Sequence, residues 1–394
     1  MYHPIYTITH ELKPHTAHQD TPPAQPGGVS CFFPSVRGVV EFQSHAGDTL
    51  LLAATGHLRD FIAQRLNESG EPSTRADLSP VTARILARPT GSAFESDLFV
   101  LERSANVDPD LHQKITHQNR RSLLVLNPET GTWRVAETID LVVQPHERVI
   151  GPCLSNKAAQ QLGEALDDVY ELCRFPKQLA LAPHGTPCAY KEMGRCPGAC
   201  DGSEPMQRYH ARFTQAIDAA SAGLGAWAQL IEIDMRHASV DMDFEAAARC
   251  KRQLGTIKGL PRDTLGHAGS LHDFSCIVVT PAPRPGWAQC WVLNRSGCSP
   301  ICSIGLLDNE LLESLPGLLA AHRSPMGFEQ AQLDRFSLIA RHWLTKPSKQ
   351  RKRRVTIIDL RAENWATQLR PAIDAAQSAS DPGHDDEEHT LLPV

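Results

Sequence analysis

Four cysteines in the middle of the chain carry its clearest chemical signal. Seven residues separate Cys188 from Cys196, three separate Cys196 from Cys200, and fourteen lie between Cys173 and Cys188. Four thiolates satisfy either a tetrahedral zinc ion or an iron–sulfur cluster, and spacing does not choose between them. The run Cys196-Pro-Gly-Ala-Cys200 allows close backbone approach at Gly198, which suits amides that donate to sulfur. Lys191, Arg195 and Pro197 make this a polar loop, against a reading of the thiols as small core hydrophobes. No CxxC redox pair occurs here, so metal binding is favoured over redox chemistry.

A second signal lies in MDFEAAARCKRQL, residues 242–254. Helical spacing puts Phe244, Ala247, Ala248 and Lys251 on one face, shallow enough at the alanines for another helix to approach closely. Glu245 and Arg249 stand at i, i+4 and are expected to pair. The pattern fits either packing within the chain or docking to a partner.

The elements that must position these residues follow from composition and periodicity. A chain of 394 residues holds two or three domains. No run approaches the roughly 18 apolar residues of a membrane span, and the first residues lack a basic segment followed by an apolar one, so a cytoplasmic protein is expected. Eleven cysteines would then be largely reduced. A net charge of −6 argues against a generally basic, nucleic-acid-coating surface, although KPSKQRKRR at 346–354 is locally basic and reads as a solvated loop.

Residues 1–27 read as a flexible arm ending in a Pro/Gly cluster. Residues 28–150 open with β-like runs VSCFFP, GVVEFQ and DTLLLAA and a helix at HLRDFIAQRL, a small α+β unit. The cysteine-rich segment spans 151–204 and is entered by a helix over 157–173; two long helical patterns fill 205–260, broken at VDMD. Strands and helices resume over 261–375, and 376–394 form a disordered acidic tail.

GPCLSNKAAQQLGEALDDVYELCRF followed by PCAYKEMGRCPGAC resembles the central segment of the UvrC excinuclease family, which includes the shorter Cho-type relatives. The resemblance implies a 4Fe–4S cluster on Cys173, Cys188, Cys196 and Cys200, with zinc as the alternative. The first gap is a few residues longer than the family pattern, which leaves Cys153 as a substitute for Cys173. Met235 to Leu254 resembles the family's UVR motif, a helical hairpin that pairs with a UvrB-like helicase subunit, and implies Phe244, Glu245, Ala247, Ala248 and Arg249 as partner-binding residues.

The same resemblance implies a GIY-YIG nuclease fold ahead of the cysteines. Its chemistry needs a tyrosine on each of two strands, an arginine for phosphate charge and a glutamate for one Mg2+ or Mn2+. Residues 28–33 take the place of the first triplet, with Ser30 at the tyrosine position, and Leu51, Leu52 and Ala53 replace the second. Arg59 matches the phosphate-binding arginine. An ungapped reading puts Val100 at the glutamate position and a two-residue shift puts Glu102 there, with Asn119 as a downstream asparagine. Leu and Ala neither move a proton nor hold a water, and losing such groups costs roughly two to four powers of ten each.

The expected fold is therefore multidomain α+β: a small GIY-YIG-like α/β domain, a cysteine-cluster segment with a helical UVR hairpin, and a C-terminal α+β region. The expected function is nucleotide-excision repair through DNA or UvrB binding, with a degraded nuclease site. An active metal-dependent endonuclease and a non-catalytic interaction protein outside repair are the alternatives.

Overall fold

Short β-branched and apolar runs broken by Gly and Pro give the first elements. The computed structural model describes residues 8–12, 28–70, 75–294, 297–306, 308–322, 324, 327–345 and 354–378. In chain order, β1 (Ile8–Glu11) precedes a 3-10 turn over Val29–Phe32, then β2 (Gly38–Gln43), β3 (Thr49–Thr55), α1 (Leu58–Arg65), β4 (Arg84–Pro89), α2 (Ala93–Val107) and α3 (Pro109–Asn119) follow. The strands form an antiparallel sheet in the order β1-β4-β2-β3. Its core collects Val40, Phe42, Ile85 and Ala87 from strands, and Leu58, Phe61 and Ile62 from α1.

Two expectations are corrected here. VSCFFP is not a strand: its 3-10 turn is held by Glu68, which accepts from the Ser30 amide at 2.9 Å and from the Ser30 hydroxyl at 2.5 Å. Order also begins earlier than Gly28, because Ile8–Glu11, inside the expected arm, pairs with β4.

The middle of the chain gives β5 (Ser122–Asn127), β6 (Thr132–Glu137), β7 (Arg148–Cys153), α4 (Asn156–Val169), α5 (Pro176–Leu179), α6 (Ala189–Glu192), α7 (Met206–Val240), α8 (Phe244–Lys258), α9 (Arg262–Leu265) and β8 (Gly269–Ser270). Their sheet order is β6-β5-β7-β8. Helix α4 starts where the Ser155 side chain accepts from the Ala158 amide, a standard N-cap, and buries Ala158, Leu162, Ala165, Leu166 and Val169. A Cβ at Gly163 would stand 2.7 Å from the Trp133 ring, so the glycine lets α4 settle on β6. Helix α7 contains one non-helical residue, Gly223, at φ 85° and ψ 163°, a conformation that favours glycine.

The last elements are β9 (Cys276–Pro281), β10 (Ala288–Asn294), β11 (Gly297–Ile304), α10 (Asn309–His322), α11 (Gln330–Trp343), β12 (Thr356–Asp359) and α12 (Trp365–Gln377). The sheet order is β11-β10-β9-β12, antiparallel throughout, with an apolar core against α10 and α12.

Chain order and spatial grouping differ. Among the described residues, those of 120–274 group with those of 327–344 in one unit, and those up to 119 group with those of 275–324 and 345–378 in the other, although the sequence suggests one region over 261–375. Of the basic run only Arg354 is among the described residues. Ala376 and Gln377, expected in the acidic tail, instead complete α12 and are buried; the tail beyond Ser378 lies outside the described residues. Among the described residues no helix is long and apolar enough to cross a membrane.

Candidate metal centre

Helix α4 ends at Val169, and the chain turns through Glu171, at φ 52°, to bring Leu172 and Cys173 into the core. The Cys173 amide donates to the Tyr209 hydroxyl oxygen at 3.3 Å, and Tyr209 donates in turn to the Gly131 carbonyl at 2.8 Å. The Cys173 thiol donates to the Phe175 carbonyl at 3.6 Å. Around it, within electrostatic reach, are the thiols of Cys196, Cys200 and Cys188. Burial pushes the Cys173 thiol up to about 11, and the neighbouring thiols add to that shift. Burial also raises Cys196, while the Gly198 amide, donating to its sulfur, pulls it back. At neutral pH such thiols keep their protons, so a thiophilic centre must displace them on binding.

Cys153 is different. It sits buried at the end of β7, and burial alone raises its thiol to about 12. The structure thus brings Cys173, not Cys153, to the other three.

The loop is tied down by contacts that hold its shape. The Gly185 amide donates to the Cys200 carbonyl at 2.8 Å, and a Cβ at Gly185 would lie 2.9 Å from that oxygen. The Cys188 carbonyl accepts from Lys191 at 2.9 Å and Glu192 at 3.2 Å, opening α6. Lys191 bonds both Asp201 and Ser203, and Gly198, at φ 89°, sits against Lys191 and Asp201. Arg212 on α7 clamps the exit: it donates to the Tyr170 carbonyl at 2.9 Å and to the Glu204 carboxylate, and its charge lowers the Cys196 thiol.

The donor set is thiol-only, which suits zinc or an iron–sulfur centre. Among the described residues no three His, Cys, Asp or Glu side chains stand close enough to clasp a single metal ion as placed. The four thiols share one neighbourhood rather than a closed tetrahedron.

Residues 126–219, which contain all four thiols, match the UvrC/Cho excinuclease middle domain. Through that segment the chain is similar to the UvrC/Cho excinuclease family. Its curated relatives are called UvrABC system protein C: one from Oleidesulfovibrio alaskensis is 24% identical over 269 residues, 64% of this chain and 36% of the relative. Another, from Lactobacillus johnsonii, is 30% identical over 118 residues, 30% of this chain and 19% of the relative. A third, from Lactobacillus helveticus, is 32% identical over 84 residues, 21% of this chain and 14% of the relative. The chain thus spans about a third or less of the length of these relatives. No solved structure matches it.

Beyond the matched UvrC/Cho segment, α7 and α8 pack antiparallel, joined at a turn where Met242 takes φ 57° and Asp243 caps α8 by accepting from the Ala246 amide at 2.9 Å. Leu254 and Ile257 face inward. The turn faces outward: Val240 is 80% exposed, Met242 74% and Phe244 72%, with Ala248 exposed on the same face of α8 and Ala247 half-buried beside it. The expected Glu245–Arg249 pair is absent among the described residues; both side chains are exposed, and the i, i+4 ion pair of this hairpin is Arg236–Glu232 at 3.3 Å.

In the first domain the paired strands are β2 and β3, with Val40 opposite Ala53 and Phe42 opposite Leu51. Residues 28–33 lie outside this hairpin, so Ser30 is not at a strand position facing the second triplet. Arg59 is exposed on α1 and donates from Nε to the Phe33 carbonyl at 2.9 Å. Glu102 is half-buried on a different helix, α2, and Val100 and Asn119 are buried. What sequence reasoning missed is Glu41. Fully buried on β2, it accepts from Arg103 Nε at 2.8 Å and Nη2 at 2.9 Å, from Gln43 at 2.8 Å and from Thr49 at 2.7 Å. Its signal was one acid inside the apolar run GVVEFQ.

Proposed function

We propose that this chain is a nucleotide-excision-repair protein of the UvrC/Cho type. It holds a 4Fe–4S cluster on Cys173, Cys188, Cys196 and Cys200, engages a UvrB-like helicase subunit and DNA, and has lost most or all nuclease chemistry. The observation that carries the reading is the grouping of four thiols in one tethered loop inside the segment that matches the UvrC/Cho middle domain.

When bound, a cluster of this kind supplies a thiolate-anchored iron centre whose potential depends on hydrogen bonds to sulfur and on burial. The chain's own residues supply the rest. Four cysteines give up their protons, the Gly198 amide donates to the Cys196 sulfur, and the Arg212 charge favours the thiolate form of Cys196. Tyr209 fixes the backbone at Cys173 from the core side.

The partner reading rests on the turn between α7 and α8. Val240, Met242 and Phe244 form an exposed apolar tip, and the small Ala247 and Ala248 leave room beside it for another helical hairpin. Residues 235–254 act in this reading as a UVR hairpin, with Phe244 and Ala248 at its centre and Glu245 and Arg249 at its polar rim.

Residues 28–119 are read as a GIY-YIG-like domain; residues 120–150, expected in the same domain, instead belong to the unit that holds the sheet β6-β5-β7-β8 and the cysteines. With β2 and β3 as its hairpin strands, Gly38-Val39-Val40 replaces the first triplet and Val40, not Ser30, stands for the first tyrosine; Leu51 stands for the second. Neither can position water or carry a proton. Arg59 and Glu102 remain as remnants for phosphate and for Mg2+ or Mn2+.

The test is a binding titration of the full chain with a UvrB-like subunit, beside a nicking assay on lesion-bearing duplex with Mg2+ or Mn2+. Binding weakened about tenfold or more by Phe244→Asp, with no nick above background, is expected. A metal-dependent nick would contradict the degraded site, and binding unchanged by both Phe244→Asp and Ala248→Arg would contradict the hairpin reading.

A further inference from the structure

Away from the four-thiol loop, the sheet of β9 to β12 carries Cys276, Cys290, Cys298 and Cys302, all with free thiols. Two of them are direct partners. Cys290 on β10 lies opposite Cys302 on β11 in the antiparallel register. Directly opposed residues in such a ladder have Cα atoms about 4.5–5.5 Å apart, inside the window a disulfide requires.

The chemistry of the pair is asymmetric. Cys290 is fully buried, whereas Cys302 is half-buried on the edge strand of the sheet. Their mutual interaction draws the Cys302 thiol below the ordinary cysteine range and pushes the Cys290 thiol above it. The accessible member is thus disposed toward the thiolate that attacks an oxidant, and the buried member keeps the proton. Cys276 and Cys298 provide an internal contrast. Both pair with Leu293, one from each side, so a whole strand lies between them. Two strand spacings of roughly 4.8 Å put their Cα atoms beyond the about 7 Å limit for a bridge.

We propose that Cys290 and Cys302 form a reversible oxidation site that takes a peroxide as oxidant and closes to a cross-strand disulfide. The Cys302 thiolate attacks one peroxide oxygen; the O–O bond breaks, an S–O bond forms, and the departing hydroxide takes up a proton to leave as water. The Cys290 sulfur then attacks the sulfenic sulfur of Cys302, the S–O bond breaks, and the leaving hydroxide carries off the Cys290 proton as a second water. Two thiols and one hydrogen peroxide become one disulfide and two waters. A dithiol reverses it by exchange through a mixed disulfide. The bond staples β11, which α12 also holds through the Gln377 amide on the Ile304 carbonyl at 3.0 Å, to the interior strand β10.

The experiment uses the full chain purified without oxygen, exposed to hydrogen peroxide, quenched with an alkylating agent and mapped by mass spectrometry. A peptide linking Cys290 to Cys302, two hydrogens lighter than its parts and lost on dithiol treatment, is expected, while Cys276 and Cys298 remain alkylated. In Cys290→Ser the sulfenic acid has no partner, so a dimedone adduct accumulates at Cys302 to a level well above wild type. Exposed Cys31 reports that the oxidant acted. Oxidation of Cys31 without any 290–302 link in wild-type protein overturns the proposal, whether or not the variant folds. Equal dimedone labelling of Cys302 in both proteins overturns the resolving role of Cys290.

Discussion

Tyr209 accepts the amide hydrogen of Cys173 at 3.3 Å and passes its own hydroxyl hydrogen to the Gly131 carbonyl at 2.8 Å. A fully buried side chain on α7 therefore fixes the first thiol of the loop to the turn between β5 and β6. Tyr209→Phe strands one buried donor and one buried acceptor. A loss of about 1–3 kcal/mol is expected in urea unfolding, with faster alkylation of Cys173.

Gly198 is the second fixed point. Its φ of 89° disfavours any side chain, and a Cβ would stand 2.9 Å from both Asp201 Oδ1 and Lys191 Cδ. Gly198→Ala is expected to cost about 1–3 kcal/mol and to lower the metal content of the purified chain. Gly194→Ala serves as the control: its φ is also positive, at 69°, but nothing lies within 4 Å of the added carbon. Equal metal loss in both variants would argue against a specific role for the Gly198 amide.

Asp167 predicts a pH dependence. Burial raises its carboxyl to about 7, ahead of the Trp133 indole and Arg174, which lower it. The folded value lies above the ordinary 3.8, so the folded chain binds this proton more tightly than the unfolded chain. The resulting stability is complete below about pH 4 and is lost as pH climbs through about 7. Asp167→Asn keeps an acceptor for Trp133 Nε1, now bonded at 2.9 Å, and cannot ionise. It is expected to flatten the fall in unfolding free energy between about pH 4 and pH 8; a wild-type curve that does not fall there would refute the assignment.

Glu41 and Arg59 separate a structural pair from a catalytic remnant. Arg103→Met leaves a fully buried carboxylate without its guanidinium, expected to cost about 3–5 kcal/mol. Arg59→Ala removes one hydrogen bond at an exposed site, about 1 kcal/mol, and is expected to leave the background nicking level unchanged. Thermal unfolding and the nicking assay read the two effects separately.

Local signals were legible in the sequence, and long-range pairings were not. The amphipathic run from Lys157 gave α4 because Ala158, Leu162, Ala165, Leu166 and Val169 repeat at helical spacing, and the cysteine loop is marked by its own Pro and Gly. VSCFFP misled because its apolar run imitates a strand, while the turn it adopts depends on Glu68, distant in sequence. Ile8–Glu11 is too short to announce itself and becomes a strand only by pairing with β4. Helix α10 was obscured by Pro316 inside it. The set Cys173, Cys188, Cys196 and Cys200 came from the family resemblance, with Cys153 as the substitute; the proximity of Cys173 to the other three depends on the turn after α4, which no periodicity encodes.

Iron and sulfide analysis, with a visible spectrum, of the full chain purified without oxygen tests the central claim most directly. Brown protein with about four irons and four sulfides per chain is expected, falling sharply in Cys188→Ser and in Cys173→Ser but not in Cys153→Ser. Colourless protein carrying zinc without sulfide, or carrying no metal at all, would contradict it.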